Sequence, residues 1–137
     1  MKNVIILFLA TNILTSYTHA QQSNKTLNCE LTSRVSEGAG DMPVMKSLGS
    51  DSKSLDTSLP SILIKGGNKT EGWFMVEITP KSNFGSFASI IVKDVATNRV
   101  SKVTLVGLDL TNPNLMLSAD LAQGDQGSAG ELVLTCQ

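Results

Sequence analysis

The sequence predicts an all-β fold: an antiparallel β-sandwich, immunoglobulin-like in general architecture only, or a small barrel, forming one domain with one disulfide. Three observations predict it. Apolar residues recur at every second position in most segments, the period of a half-buried strand, and helical stripes are scarce. Turn-forming clusters of Gly, Asn, Pro and Ser separate those segments at short intervals. Two cysteines, Cys29 and Cys136, lie near opposite ends of the chain, each in an alternating segment with leucines on its own side.

The first twenty residues, MKNVIILFLATNILTSYTHA, read as a secretory signal rather than as part of the fold. Lys2 gives a positive start and Val4 to Leu14 form an apolar run too short for a bilayer anchor. Thr18 and Ala20 are small residues at the spacing a signal peptidase reads. Cleavage after Ala20 leaves 21–137 as a single all-β domain, secreted or periplasmic, with no membrane span. It also removes His19, the one histidine of the chain. A mature chain without histidine cannot build a Ser-His-Asp or Cys-His site by itself and lacks the usual ligands of catalytic zinc.

The segments follow in chain order. In TLNCELTS, Leu27, Cys29 and Leu31 share one side of a strand over Leu27–Val35. Ser36–Pro60 is rich in Gly, Ser and Asp and reads as a long, flexible loop with one short strand near Val44–Leu48. Ser61–Lys65 is a strand, followed by the turn KGGNKTEG. In WFMVEIT, Trp73–Thr79 directs Phe74, Val76 and Ile78 to one face and Trp73, Met75 and Glu77 to the other. Phe87–Val95 contains the apolar run Ile90, Ile91 and Val92, which predicts a central strand covered on both faces. Val100–Leu110 is the next strand. In TNPNLMLSADLAQG, Asn112, Pro113 and Gly124 would cap, start and end a helix, yet Leu115, Leu117, Ala119 and Leu121 alternate as a strand does, and strand is favoured. Gly130–Cys136 closes the set, with Leu132, Leu134 and Cys136 on one side.

An isolated cysteine pair in an exported chain is most simply a disulfide, and neither the close spacing nor the basic surroundings of a redox pair is present. The net charge is −1, near −2 after loss of Lys2, with charges scattered singly. That pattern, with Trp73, Phe74, Phe84 and Phe87 as the mature aromatics, argues against nucleic acid as a partner.

Motifs for catalysis are weak. SDSK, Ser50 to Lys53, has the S-x-x-K spacing without helix signals. QGSAG places Ser128 among turn glycines. Glu77, Asp94, Asp109 and Asp120 are the carboxylates that a histidine-free glycosidase would have to pair. Asp109, Asn112, Asn114, Asp120 and Asp125 are oxygen ligands in or beside loops, but no calcium-loop motif occurs and turn chemistry explains them. No metal or cofactor is expected. The sequons at Asn24 and Asn68 are no more frequent than composition allows.

The candidate contact residues are Trp73 and Met75, which face away from the core if Phe74 joins it, and the candidate loop residues are Asn68 and Lys69. The expected function is an exported, non-enzymatic domain that binds a protein or polysaccharide partner of the cell envelope or medium. The alternatives are a small secreted inhibitor presenting Lys65–Gly72 or Ser36–Pro60 to an enzyme's cleft, and a structural subunit of an envelope assembly.

Overall fold

A computed structural model describes residues 25–35, 42–95, 99–121 and 130–137. The signal segment with His19, the Asn24 sequon, and the glycine-rich stretch containing Asp125 and Ser128 lie outside the described residues. Within them the chain forms eight strands: β1 Thr26–Val35, β2 Val44–Ser54, β3 Ile62–Asn68, β4 Gly72–Thr79, β5 Phe87–Asp94, β6 Arg99–Gly107, β7 Leu115–Leu121 and β8 Gly130–Cys136. They make two antiparallel four-stranded sheets, ordered β2-β1-β8-β7 and β3-β4-β5-β6. Followed around the pair of sheets, the strands keep chain order, and β1 and β8 are hydrogen-bonded neighbours.

One apolar core lies between the sheets. β1 contributes Leu27, Cys29 and Leu31, β8 Leu132 and Leu134, β3 Ile62 and Ile64, β4 Phe74, Val76 and Ile78, and β5 Ala88, Ile90 and Val92. In these strands buried residues alternate with outward ones because successive side chains point to opposite faces. Burial of these side chains at about 25 cal/mol per Å² is the main term that offsets the chain entropy lost on folding.

Cys29 and Cys136 are bonded, and each is only 1% exposed. They are direct register partners on β1 and β8, with Cα atoms 4.0 Å apart. The neighbouring pair, Asn28 and Gln137, exchanges both backbone hydrogen bonds, at 2.8 and 2.9 Å. The cysteines therefore occupy the adjacent non-hydrogen-bonded position, where opposed strands bring side chains closest. The bridge joins the first strand to the last inside the core.

Three expectations are corrected. Ser36–Pro60 is not a long loop with a short strand, since β2 runs over Val44–Ser54 and pairs along the length of β1. Leu48 is its single buried side chain. It sits in a bulge: Leu31 opposes Gly49 and Thr32 opposes Ser47, which leaves Leu48 as the extra residue. The strand favoured for the last connection is present as β7, with no helix among its described residues, and Asn112 and Asn114 serve a turn before it. β5 is central in its sheet but buried on one face only, Ile91 being half-buried on the other. The sixth strand also ends at Gly107, before a connection in which Leu108 donates its N–H to Ser86.

The corner between the sheets is built on glycine. A Cβ on Gly49 would stand 2.6 Å from Gly67 Cα, so the backbones of β2 and β3 touch there. Beside it, Asp51 Oδ2 accepts the Lys65 backbone N–H at 3.0 Å, satisfying an amide at the edge of β3.

Candidate functional site

The outer faces of the two sheets differ. On β1 and β8 the outward positions include Asn28, Glu30, Thr32 and Thr135, the polar pattern expected of a solvated sheet. The outer face of the other sheet instead carries Leu63 and Lys65 on β3, Trp73, Met75 and Glu77 on β4, and Ile91 and Lys93 on β5. Alternation along β4 forces this arrangement. With Phe74, Val76 and Ile78 fully buried, Trp73 and Met75 must stand outside, and both are half-buried by their neighbours.

Register decides what surrounds Trp73. Its partner on β5 is Lys93 and its partner on β3 is Gly67, while Met75 opposes Lys65 and Ile91. A notch opens beside the indole. It has a volume of about 650 Å³ and is walled by Lys65, Lys69, Lys93, Met75 and Val95. That volume lies within the range of ligand sites. Gly67 cannot be filled: its φ is +76° and an added Cβ would meet Gly72 O at 2.3 Å.

The rim is the β3–β4 turn, which is fixed by its own side chains. Asn68 Oδ1 accepts the N–H of Thr70 at 2.9 Å and of Glu71 at 2.7 Å, closing an Asx turn. Glu71 accepts from Lys46 Nζ at 2.9 Å, tying β2 to the turn. That hydrogen bond, with a weaker one from Asn68 Nδ2 and the Lys46 charge, holds the Glu71 carboxyl below its ordinary range.

The four residues singled out in the sequence, Trp73, Met75, Asn68 and Lys69, all line this notch. Lys93 was missed, and Lys65 and Gly67 were named only as part of the turn Lys65–Gly72. They join the site through cross-strand register, which needs the pairing of β3 and β5 with β4 and leaves no mark in any one segment.

No family model matches the chain, and no curated protein or solved structure matches it either. The site therefore has to be read from its own chemistry.

Its polar equipment is one-sided. Among the described residues none of Lys65, Lys69 and Lys93 forms an ion pair. Of the carboxylates nearby, Asp51 accepts the Lys65 backbone N–H and Glu71 accepts from Lys46, while Glu77 stands farther along the same face, two residues from Met75. The Asn68 oxygen is occupied by the turn. The notch thus offers ammonium donors, an indole and a thioether.

The other sequence candidates fall elsewhere. Ser50 and Lys53 lie on strand β2, three residues apart, so their side chains point to opposite faces and cannot act as a helical S-x-x-K pair. Asp94 and Asp120 line a cavity of about 260 Å³ with Arg99, while Glu77 is on the outer face of β4 and Asp109 is in the β6–β7 connection. Asp109 accepts the N–H and the hydroxyl of Thr111 at 2.9 and 2.7 Å, and Asn114 donates to Asn112 at 2.9 Å, so these loop oxygens serve turns. The hydroxyl of Thr111, then its N–H, holds the Asp109 carboxyl below its usual range.

Proposed function

We propose that the chain is a non-catalytic binding domain of an oxidising compartment, exported by its N-terminal signal, and that it engages a protein or polymer partner through the Trp73 notch. The observation that carries this reading is the convergence of Trp73, Met75, Asn68 and Lys69 on one cavity of about 650 Å³. The buried Cys29–Cys136 bridge supports the compartment, since disulfides persist where thiols are not kept reduced. Among the described residues no helix is long and apolar enough to cross a membrane. A half-buried tryptophan on the outer face of a sheet lies apart from the core, whereas in a contact surface it contributes a large share of binding energy.

The test is affinity capture from the host's envelope fraction and medium, with wild type, Trp73→Ala, and Met116→Ala as a control. Met116 is 72% exposed on β7, in the other sheet. A partner retained by wild type and Met116→Ala but lost from Trp73→Ala supports the reading. Equal capture by all three contradicts it.

The inhibitor reading keeps one specific support. The turn Asn68–Glu71 is held by three side-chain hydrogen bonds before any partner arrives, and such preorganisation lowers the entropy lost on insertion into a cleft.

A further inference from the structure

We propose that the Trp73 notch is a site for an acidic polysaccharide, with the apolar face of a sugar ring on the indole and its carboxylate or sulfate groups on Lys65, Lys69 and Lys93. This rests on the reading of the notch as the contact surface and adds the chemistry of what it holds.

The inventory of hydrogen-bonding groups carries the argument. A site for a neutral glycan needs both donors and acceptors, because each sugar hydroxyl is both. Here the lining side chains with uncommitted polar atoms are three lysines and Trp73, whose indole N–H, like the ammonium groups, only donates. The one side-chain oxygen of the lining, Asn68 Oδ1, already accepts the N–H groups of Thr70 and Glu71. Anionic oxygens form the strongest hydrogen bonds to such ammonium donors.

The lysines are also spread rather than focused. Lys65 and Lys93 stand on the strands either side of β4, about 10 Å apart across the sheet, with Trp73 and Met75 between them. Lys69 lies at the rim on the β3–β4 turn. A polymer with a charge on successive units could meet all three, and long flexible lysine stems tolerate variation in where those charges fall.

Sugar rather than acidic peptide follows from where the notch sits. A peptide binding to a sheet takes most of its affinity from main-chain hydrogen bonds to an unpaired strand edge. Trp73 and Met75 are on β4, which is paired on both sides by β3 and β5, so a ligand lying on them meets side chains rather than free backbone; the open edge is that of β3, where Asp51 already takes the Lys65 N–H. What is offered is a half-buried indole among lysines. The site is local, because the whole chain is slightly acidic and its net charge of −1 provides no long-range attraction for a polyanion.

The experiment is affinity electrophoresis of the folded protein in gels containing polygalacturonate, dextran sulfate, neutral dextran or polyglutamate, at low and at high salt. The variants are Trp73→Ala, Lys65→Gln/Lys69→Gln/Lys93→Gln, and Met116→Ala. Retardation by polygalacturonate or dextran sulfate, weakened about tenfold by either notch variant and by salt but not by Met116→Ala, supports the proposal. The better of the two polymers identifies carboxylate or sulfate as the preferred group. Equal or stronger retardation by polyglutamate overturns the sugar assignment in favour of an acidic peptide. Trp73-dependent retardation by neutral dextran overturns the anionic assignment while leaving the notch as contact surface. Retardation unchanged in both notch variants, or none with any polymer, overturns the proposal, and the first of these removes the notch as contact surface too. All the substitutions are at solvent-facing positions, and circular dichroism of each variant verifies that the sheets remain intact.

Discussion

Replacing both Cys29 and Cys136 by alanine removes the bridge between the first and last strands, and the structure sets the size of the effect. The two residues are separated by 107 positions. The chain-entropy relation for a closed loop of that length gives about 4–5 kcal/mol at room temperature. A domain of this size has about 5–15 kcal/mol in total, so the loss takes about a quarter of the stability at least. The bridge is placed to deliver most of the entropic value. It spans register partners at a close-approach position, and the adjacent Asn28–Gln137 pair keeps both its hydrogen bonds without the sulfurs. The native ladder should therefore survive, and the cost should appear as a gain in freedom of the unfolded chain together with the two small voids left by the sulfurs. The assay is urea unfolding of wild type and double variant, followed by circular dichroism. The midpoint should fall and the denaturant slope should rise, because an uncrosslinked unfolded chain exposes more surface. With each sulfur 1% exposed, native wild type should also resist reductant until urea opens it. A loss below about 1 kcal/mol with an unchanged slope would refute the loop-closure reasoning.

Two further expectations follow from particular contacts. Gly66→Ala puts a Cβ 2.3 Å from Phe74 Cε1, in a ring that is fully buried, and should cost about 1–3 kcal/mol in urea unfolding, with partial recovery on adding Phe74→Leu; an unchanged midpoint would show that the ring has room to move. The Glu71 and Asp109 carboxyls are depressed in the folded chain, so each binds its proton more weakly there than when unfolded. Their contribution is present above the ordinary carboxylate range and is lost as pH falls through the depressed folded values. Carboxyl NMR titration should show Glu71 moving up toward its ordinary value in Lys46→Gln while Asp109 stays put; no movement of Glu71 would mean that Lys46 is not its principal partner.

How much of this was legible in the sequence depends on whether a strand's pattern records its own burial. β4 and β8 are readable because inward residues alternate with outward ones, and that alternation placed Trp73 and Met75 outside and both cysteines inside. β2 leaves no such trace. It lies at a sheet edge, has water on most of its sides, and sends one leucine inward from a bulge, so its strand character comes from pairing with β1 rather than from its composition. The segment before β7 has helix-capping residues, but Pro113 is buried and Asn112 and Asn114 bond to each other in a turn, so tertiary packing overrides the local signal. β5 reads as buried on both faces because Ile91 is apolar, yet Ile91 lies on the same outer face as Met75. The site shows the same division. Its aromatic and its turn are local features, whereas the flanking lysines join it only once three strands are in register.

The central claim is that Trp73 stands on the solvent face of β4 amid unpaired lysines, with Phe74 behind it in the core. Trp73 is the one tryptophan of the chain, so its fluorescence reports this place alone. Quenching of the folded protein by iodide and by caesium, at equal ionic strength, measures both its accessibility and the sign of the local charge. The account predicts that iodide quenches well and caesium poorly, and that Lys65→Gln/Lys69→Gln/Lys93→Gln removes most of the difference. Emission inaccessible to both ions, or quenched more by caesium, would contradict it.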